Sequence, residues 1–445
     1  MKNIKLDKNI ELILNLLQAN GQGYIVGGFV RDTLLGVEPK DCDFVTDIEY
    51  DKLLKIFKEY SPKEIGRHFG IIQIKIDDIH YEIAKMRQDK GVPEDRKEQE
   101  IEFTKDIYED LKRRDFTINA IAYDGVNFFY GDSFSRLDIE EKKLRFVGQC
   151  EKRIEEDPLR ILRFFRFLAT KDLDYFEETI VEIKKSKELL KKLSTERIRE
   201  EFNRILVGKN AYQILKLMSK NQILEMIIPE WKDTINFDQK NFHHIYTVDE
   251  HILQSLKETE DDLIVRLAIF LHDIGKPRCF TIDENGQGHF YGHEKISAEM
   301  SNEILKRLRY DSTIMEKIYK IIKYHMIYRV SDEKIFVKKM LRRLGKEDIY
   351  RYFQVIRADR KARKPPYDLE QISRLEKILE EILEAQLPVS LKDLSITGKD
   401  LIENGFIQGK EIGEVLNLLL EQVLEHPEYN TREQLLNLAL NYKKN

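Results

Sequence analysis

The chain has 445 residues, 35% of them charged, with a formal net charge of −5 at pH 7. No apolar segment approaches the roughly 20 residues that a membrane-spanning helix needs, so the composition predicts a soluble protein. Single cores rarely exceed about 250 residues, and the length therefore predicts two to four domains. Three cysteines without metal-type spacing, and a start that lacks the apolar region of a secretory signal, predict a reduced, cytoplasmic setting.

The first 130 residues mix helix and strand patterns. Residues 1–23 have the spacing of an amphipathic helix. The segments "GYIVGG" and "CDFVTD" predict short buried strands, "EYDKLLKIFKEY" between two strand segments has helical spacing, and "FGIIQIKIDDIHYEIAKM" alternates as a β-hairpin does. We therefore expect the fold class α+β, with a small mixed sheet in the head.

Helical spacing dominates after the head, from "DPLRILRFFRFLAT" onward. The segment "STERIREEFNRILVG" predicts a helix that begins at a Ser/Thr cap and ends at Gly208. Pro365 and Pro366 mark a break. The predicted domains are a head, a helical neck and body, a third domain and a helical tail, over residues 1–145, 146–235, 236–365 and 366–445.

A phosphate-binding pattern begins where the first strand ends in Gly27 and Gly28 and a helix follows. Glycines let backbone N–H groups approach a phosphate closely, and a helix N-terminus favours anions. Arg31, one turn into the helix, can point back to the same phosphates. The pattern lacks the GK[ST] ending of a Walker loop and the GxGxxG of dinucleotide folds.

Paired carboxylates follow in the expected second strand. Asp41 and Asp43 lie two residues apart, so both should face one side while Cys42 and Phe44 face the core. Close carboxylates suit Mg²⁺, and two-metal chemistry activates an attacking hydroxyl and steadies a departing phosphate. Such a pair alone is more often a solvent-facing strand edge, but the neighbouring phosphate site favours a metal site. Glu82 could supply a third carboxylate or be a charged outward position on an edge strand.

The combination "GGFVRDTLLG…DCDF" resembles the nucleotidyltransferase signature of the bacterial tRNA nucleotidyltransferases and poly(A) polymerases, the class II CCA-adding family. The segments "EDLKRRDFTINAIAYD", "EEDPLRILRFFRF" and "ERIREEF" resemble the later blocks of that family in the same order. The resemblance implies transfer of C and A from CTP and ATP to the tRNA 3′ end without a nucleic-acid template. It also implies that Gly28 and Arg31 bind the nucleotide and that Asp41 and Asp43 hold magnesium.

The second block contributes further nucleotide contacts. Arg113 and Arg114 offer guanidinium forks to a triphosphate, and Asn119 could bond a ribose hydroxyl. By resemblance one of these arginines contacts the nucleotide. We favour Arg114, and the choice between the two stays open.

The third block predicts how the base is chosen. Asp157, Arg160, Arg163 and Arg166 repeat every three residues, a spacing that places neighbours on one helical face. Asp157 can only accept hydrogen bonds and Arg160 can only donate them. Cytosine and adenine both present an amino donor beside a ring-nitrogen acceptor, and guanine and uracil present the reverse, so the pair would select C and A. The alternative is a charged helical face with local ion pairs.

One segment, "RQDKGVPEDRKEQEIEF", departs from the family, in which an Arg-x-Asp-Gly-x-Tyr…Arg-Arg-Pro loop helps the pocket switch from C to A. Arg87, Asp89 and Arg96 are kept. Other residues stand where Gly, Tyr, Arg and Pro are expected: Lys90, Val92, Lys97 and Glu98. The presence of the loop favours full CCA addition, and a CC-adding or A-adding enzyme remains an alternative.

A second site is predicted from His and Asp residues in later helical segments. His272 and Asp273, beside "GK", resemble the centre of an HD-type phosphohydrolase domain. The resemblance implies further metal ligands, some of them for a second ion: His251, Asp359, His293 and His325. Imidazole and carboxylate together suit transition metals such as Mn, Ni or Fe. The domain could be active or could persist as a structural arm.

The partners expected are tRNA, CTP and ATP, and no membrane. From Lys334 to Lys364 the chain has twelve Lys/Arg against three Asp/Glu, which predicts either an RNA-backbone contact or a solvated helical face. Three alternatives to the tRNA enzyme stay open: a poly(A) polymerase, a protein whose main activity is HD phosphohydrolysis, and a non-catalytic RNA-binding protein.

Overall fold

The structure is a computed structural model that describes residues 4–88, 102–242, 244–326, 330, 332–367, 369–385 and 387–444. The chain forms two compact units, Met1–Ile227 and Ile228–Asn445. The break falls near the end of the expected neck and body, and the boundaries between the four predicted domains stay predictions. Of the altered loop, Arg87 is described, whereas Asp89, Arg96 and the four replaced positions lie outside the described residues.

The first unit is built on a mixed sheet. Its strands are β1 (Gly23–Val26), β2 (Asp43–Thr46), β3 (Lys63–Gly66), β4 (Ile71–Ile76), β5 (Ile79–Lys85), β6 (Arg87–Gln88), β7 (Glu102–Phe103), β8 (Ile121–Tyr123), β9 (Phe128–Tyr130), β10 (Lys143–Leu144) and β11 (Asp174–Tyr175). Seven of them follow the order β3-β4-β5-β2-β1-β8-β9. Neighbours in this sheet are antiparallel except β2 and β5, which are parallel. The predicted strands and the β4–β5 hairpin are confirmed.

Helices cover the sheet and make up the rest of the first unit. They are α1 (Lys8–Gln18), α2 (Gly28–Leu34), α3 (Tyr50–Ile56), α4 (Ile107–Lys112), α5 (Ser135–Glu140), α6 (Cys150–Glu156), α7 (Leu159–Thr170), α8 (Glu177–Ser186), α9 (Thr195–Leu206), α10 (Ala211–Lys220) and α11 (Leu224–Ile227). The predicted N-terminal helix is α1: Asp7 caps it by accepting from the backbone N–H of Ile10, and Ile13 and Leu17 are fully buried.

Aromatic packing fixes α7, the helix of the predicted base-reading block. Phe164 and Phe165 are fully buried, and the ring of Phe164 stacks on Phe146 with centroids 5.9 Å apart. Phe116 packs against the rings of both Phe146 and Phe164. Because apolar and basic positions alternate around α7, burying the aromatic side leaves its arginines on the opposite side.

The second unit is a helical assembly around α13. Its helices are α12 (Val248–Leu256), α13 (Leu263–Leu271), α14 (His293–Arg307), α15 (Ser312–Tyr324), α16 (Glu333–Leu344), α17 (Lys346–Lys361), α18 (Glu370–Glu384), α19 (Gly398–Glu403), α20 (Lys410–Glu425) and α21 (Arg432–Lys444), with a short ribbon of β12 (Thr281–Ile282) and β13 (Gly288–His289). Helix α13 is buried from Val265 to Leu271 and packs against α12, α14, α15 and α17.

The tail packs on its own apolar cluster, which includes Leu401, Leu419, Leu420 and Leu435. The predicted proline break is confirmed, since α17 ends and α18 begins on either side of Pro365 and Pro366. In the part of the chain that the structure describes, each helix is too short or too polar to cross a bilayer.

Candidate active site

The end of β1 and the start of β2 lie side by side, because Val26 pairs with Asp43 in the antiparallel register. Gly27 follows β1 with φ +68°, a conformation that favours glycine. A Cβ at Gly27 would lie 3.3 Å from Nη1 of Arg114 and 3.9 Å from Oδ2 of Asp43. The glycine, the carboxylate and the guanidinium therefore meet at one point.

The carboxylates face the same side as predicted: Asp41 and Asp43 are exposed, whereas Cys42 and Phe44 are buried. β2 begins at Asp43, so Asp41 precedes the strand rather than lying within it. Glu82 pairs with Asp43 across the parallel β2–β5 register. The edge-strand alternative for Glu82 is wrong, because β5 lies between β4 and β2.

Like charges meet in this cluster, although its oxygens are not among the groups of described residues whose ligand atoms all lie within 4.8 Å of one another. Crowding by protein atoms, followed by the charges of Glu82 and Asp41, raises the pKa of Asp43, and Arg114 opposes the shift. Three carboxylates on one side of a sheet repel one another unless a cation lies between them. Oxygen ligands of this kind fit Mg²⁺ by their chemistry.

Arg31 is buried in a network that joins several elements. Its Nε donates to Oδ1 of Asp32 at 2.8 Å, and its Nη1 donates to Oδ1 of Asn119 at 2.8 Å. The guanidinium also lies over the ring of Phe167, 5.0 Å from the centroid. Asp32 accepts a further bond of 3.0 Å from Nζ of Lys171. Arg31 is thus held in place before any nucleotide binds, and Asn119 contributes to that hold.

The two arginines of the second block share one buried partner, Asp110. Nη2 of Arg113 donates to its Oδ1 at 2.7 Å, and Nη2 of Arg114 donates to its Oδ2 at 3.1 Å. Burial opposes the charge of Asp110, but Arg114 and Arg113 lower the pKa of this carboxyl below its ordinary value. Arg113 also donates to the carbonyl of Arg87 at 3.0 Å. Nε of Arg114 is buried and has no hydrogen-bond partner among the described residues, which favours Arg114 as the phosphate ligand.

Asp157 and Arg160 lie on different elements. Asp157 follows α6 in extended conformation, φ −146°, and Arg160 lies in the first turn of α7. The prediction of one helical face is therefore wrong for Asp157, because Pro158 disfavours helical backbone in the residue before it. Oδ2 of Asp157 accepts from Nη2 of Arg197 at 2.8 Å. Nη1 of Arg160 donates to Oε2 of Glu156 at 2.6 Å.

Arg163 and Arg166 pair with carboxylates of other elements. Nε and Nη2 of Arg163 lie 2.8 and 2.5 Å from Oδ2 of the buried Asp115. Burial opposes the charge of Asp115, yet Arg163 and then Asn119 keep its pKa below the ordinary value. Nε of Arg166 lies 3.1 Å from Oε2 of Glu201 on α9, and burial lowers the pKa of Arg166 to about 10. These two arginines tie α7 to the head and to α9.

Gly27, Gly28, Asp43 and the arginines of the second and third blocks line one cavity of about 690 Å³ within the first unit, whereas Asp41 and Glu82 are not among its lining residues. Nine cationic and three acidic side chains line it: Arg31, Arg113, Arg114, Arg160, Arg163, Arg166, Lys171, Arg197 and Arg204, with Asp43, Asp115 and Asp157. A cavity with this excess of cations suits a triphosphate. Sequence reasoning missed Asp115, Lys171, Arg197 and Arg204. Asp115 and Arg197 lie in segments that resemble the family's blocks, but a single Asp or Arg there has no distinguishing spacing.

The second predicted site is also assembled, within the second unit. Nε2 of His251 lies 3.0 Å from Oδ1 of Asp359 and 3.3 Å from Oδ2 of Asp273. Nε2 of His272 lies 3.2 Å from the same Asp273 oxygen. These four residues form one group with metal-binding geometry.

A second group shares Asp273 with the first. Nε2 of His293 lies 3.2 Å from Oδ1 of Asp273 and 3.3 Å from Nε2 of His325. All six predicted residues are buried. Two ligand groups that share one carboxylate are an arrangement suited to two cations.

Backbone carbonyls set the tautomer of all four histidines. Each Nδ1 lies 2.6 to 3.2 Å from a carbonyl oxygen, in the pairs His251–Ala362, His272–Ile269, His293–Phe290 and His325–Ile322. Nδ1 therefore carries the proton, and the lone pair of each Nε2 faces the centre. Nε2 of His272 and Oδ1 of Asp273 have no hydrogen-bond partner among the described residues, whereas Oδ2 of Asp273 lies 2.7 Å from Nζ of Lys276. These buried atoms fit a transition-metal ion.

Charges around this centre act on its ligands in different directions. Burial opposes the charge of His272, but Asp273 and then Asp359 raise the pKa of this imidazole to about 9, so a metal ion would have to displace its proton. Burial opposes the charge of Asp273, but His272 and Lys276 lower the pKa of this carboxyl well below its ordinary value. Burial, followed by the charge of His293, lowers the pKa of His325 to about 3, so its imidazole is neutral. Arg363 pairs with Asp359.

The fold and the cationic cavity define a nucleotidyltransferase, and comparisons with known proteins agree. Residues 23–145 match the family model "Poly A polymerase head domain", residues 176–235 match an "RNA and SrmB- binding site of polymerase A", and residues 290–439 match a "tRNA nucleotidyltransferase domain 2". The chain belongs to the family of bacterial class II CCA-adding enzymes and poly(A) polymerases, as its motifs predicted.

Relatives match along nearly the whole chain. A CCA-adding enzyme of Streptococcus pyogenes serotype M4 is 28% identical over 420 residues, which cover 94% of this chain and 92% of the relative. The solved structure of the Bacillus stearothermophilus CCA-adding enzyme in complex with CTP has a TM-score of 0.73 at 21% identity, covering 99% of this chain and 98% of the other. That of the Thermotoga maritima CCA-adding enzyme complexed with tRNA_CCA has a TM-score of 0.60 at 20% identity, covering 98% and 96%.

Proposed function

We propose that this protein adds C and A nucleotides from CTP and ATP to the 3′ end of tRNA without a nucleic-acid template. The observation that carries the proposal is that one cationic cavity contains both the carboxylate Asp43 and the base-reading pair Asp157 and Arg160. Relatives named as CCA-adding enzymes, with solved structures described with CTP and with tRNA, support it. The three cysteines are free thiols, which fits a reducing cytoplasm.

The triphosphate would bind against Gly28, Arg31 and Arg114. Asp41 and Asp43, with Glu82 beside them, would hold magnesium, which supplies activation of the attacking hydroxyl and charge compensation at the leaving phosphate. The tRNA 3′ oxygen forms a bond to the α-phosphorus while the bond from that phosphorus to the bridging oxygen breaks. Pyrophosphate then leaves with its charge partly offset by the arginines.

Base selection would use groups that are already positioned. Asp157 would accept a hydrogen bond from the amino group of cytosine or adenine, and Arg160 would donate a hydrogen bond to the neighbouring ring nitrogen. Each carboxylate oxygen has two lone pairs, so Oδ2 of Asp157 can accept from the base while it accepts from Arg197. A base with the reverse order would place donor against donor and acceptor against acceptor.

The tRNA contact expected from the basic stretch needs revision. Six of its cations pair with carboxylates of the second unit: Lys339, Arg342, Arg351, Arg357, Lys361 and Arg363. Among the described residues, no carboxylate pairs with Arg343 of this stretch or with Lys323 of α15. Both cations lie over the ring of Tyr324 and line a cavity of about 590 Å³. We assign an RNA-phosphate contact to these two cations rather than to the whole stretch.

A second candidate function is metal-dependent phosphoester hydrolysis at the HD-type site. The observation that favours it is the pair of buried ligand groups that share Asp273. Bound transition metals would supply a hydroxide nucleophile and polarise a phosphoryl group. The chain's own residues would orient the ions, through the carbonyl-fixed histidines.

Incorporation of labelled CTP and ATP, separately and together, into tRNAs that end before C, after CC and after CCA tests the main proposal. The expected products are two C and one A, with no extension after CCA. A long A tail on unrelated RNA would instead indicate a poly(A) polymerase. Asp43→Ala should abolish incorporation and His272→Ala should not; the reverse pattern would identify the HD-type site as the main activity, and no incorporation by the wild-type protein would overturn the proposal.

A further inference from the structure

His244 lies beside the HD-type cluster, and neither metal group contains it. Its ring packs edge-on against His251, with centroids 5.5 Å apart and an interplanar angle of 88°. Nδ1 of His244 is buried and has no hydrogen-bond partner among the described residues. Buried polar atoms without partners are rare in folded proteins, and each calls for an explanation such as a bound ligand.

A further metal ligand is not the best explanation. In the described chain, two groups of three or more side chains have potential metal-ligand atoms that all lie within 4.8 Å of one another, and His244 is in neither: His251, His272, Asp273 and Asp359, and Asp273, His293 and His325. The four histidines in these groups use Nδ1 to bind a carbonyl and keep Nε2 for the centre. His244 shows a different pattern, since its Nδ1 has no such carbonyl.

The charges around His244 point to an anion. Lys276 and Arg363 lie close enough to act on His244 electrostatically. The metal site has three carboxylates, Asp273, Asp359 and the buried Glu294. Together with the cations Lys276 and Arg363 they give a net side-chain charge of −1. Two divalent cations would change this to +3. A buried centre of that charge needs an anionic ligand, and a phosphoryl group brings oxygen acceptors that a donor such as Nδ1–H can bind.

We propose that the Nδ1–H of His244 donates a hydrogen bond to a non-bridging oxygen of a phosphoryl group held at this metal site. The ligand class is a phosphomonoester substrate or the inorganic phosphate that its hydrolysis releases. This inference rests on the second function proposed above. His244 is thus the substrate-side residue of the site, and its unpartnered atom is a binding position for the ligand.

The test uses the full chain loaded with Mn²⁺, with metal content measured by plasma mass spectrometry and inorganic phosphate binding measured by calorimetry. His244→Ala removes the donor. His244→Asn keeps an amide N–H close to the position of Nδ1. His426→Ala, at an exposed histidine paired with Glu428, is the matched control. Asp273→Asn removes the shared ligand and reports phosphate bound elsewhere on the chain, including the head cavity.

We expect His244→Ala to weaken phosphate binding about tenfold or more with unchanged manganese content, because the lost bond goes to a charged group. His244→Asn should restore most of the affinity, and His426→Ala should match wild type. The inference is overturned if His244→Ala leaves phosphate affinity unchanged, if His244→Asn does not restore the affinity, or if His244→Ala loses manganese. If the wild-type protein binds no manganese, both the inference on His244 and the second function are overturned. If manganese binds but the His244 variants do not change phosphate affinity, only the inference on His244 is overturned.

Discussion

Nη2 of Arg197 on α9 lies 2.8 Å from Oδ2 of Asp157, forty positions earlier in the chain. The contact orients the carboxylate that we propose reads the amino group of the incoming base. Asp157 lies in extended backbone, and its Oδ1 accepts from the backbone N–H of Leu159 at 3.1 Å, so the start of α7 and Arg197 hold the carboxylate together. If Asp157 reads the base as proposed, α9 contributes to base selection without having to contact the base.

Replacement of Arg197 should weaken selection more than stability. In Arg197→Leu we expect about tenfold more incorporation of UTP and GTP relative to CTP and ATP, because Asp157 loses its orienting partner. The free energy of unfolding should change by less than about 1 kcal/mol, since partly exposed ion pairs contribute little. Arg136→Leu breaks an exposed pair with Glu140 and is the control. Unchanged selectivity in Arg197→Leu would remove Arg197 from the mechanism.

The ionised side chain of Asp43 should lower the stability of the metal-free protein, and nucleotide incorporation should depend on it. Crowding, Glu82 and Asp41 raise its pKa in the folded state, so its ionised form destabilises the metal-free protein at pH 7. Asp43→Asn should therefore melt at the same temperature or higher without magnesium, and nucleotide incorporation should fall at least about 100-fold. Magnesium should raise the melting temperature of wild type more than that of the variant. Asp51→Asn, at an exposed residue, is the control, and a less stable Asp43→Asn would contradict this account.

Arg114 and Arg113 should differ in nucleotide binding. Arg113 donates to Asp110 and to the carbonyl of Arg87, whereas Nε of Arg114 has no partner in the described chain. We expect Arg114→Ala to raise KM for CTP and ATP about tenfold or more, and Arg113→Ala to raise it less. Steady-state kinetics on both variants decide the matter. A larger effect of Arg113→Ala would reverse the assignment.

The Asp115–Arg163 pair should make stability depend on pH in the acid range. The folded-state pKa of Asp115 lies below its ordinary value of 3.8, so its contribution is fully present above that value and is lost as pH falls through the folded pKa. At pH 7, Asp115→Asn should cost about 1–3 kcal/mol, because the buried carboxylate loses a charge-assisted hydrogen bond to Arg163, whose side chain is 33% exposed at the cavity.

Urea unfolding across pH 3 to 7 measures the difference in the free energy of unfolding between wild type and Asp115→Asn. It should stay constant from pH 7 to about 4 and shrink below, as wild-type Asp115 becomes protonated. Asp172→Asn, at an exposed pair with Lys209, is the control. A difference that grows toward acid pH would show that another group dominates.

The HD-type cluster should bind two metal ions that depend on different ligands. Asp273 belongs to both groups, and His325 belongs to one. The Asp273→Asn variant should lose both ions, and the His325→Ala variant should lose one. Plasma mass spectrometry after loading with manganese counts the bound ions. His289→Ala, at a histidine bound to Asp283 outside the groups, should keep both. Equal losses in Asp273→Asn and His325→Ala would indicate a single-ion site.

Local patterns predicted the head well because they depend on neighbours in the chain. Alternation in "FGIIQIKIDDIHYEIAKM" predicted β4 and β5, and the two glycines marked the turn before α2. The error at Asp157 also had a local signal, since the following Pro158 disfavours helical backbone.

Other predictions depended on contacts that spacing does not contain. Whether Glu82 lies on an edge or a central strand follows from the strand order, which places β2 beside β5. The basic stretch looked available for RNA, but Arg357 pairs with Glu376 and Arg342 with Glu421. These acidic partners lie on other helices, so a local count of charge could not find them.

The amino-acid sequence by itself determined which chemistry is available: glycines before a helix, paired aspartates, a donor–acceptor pair, and two sets of histidines with aspartates. These follow from residue type and short spacing. Only the tertiary structure decided which groups meet. It brings Arg197 to Asp157 and His244 to the cluster around Asp273, because such pairings arise when separate helices pack and bury their charges together.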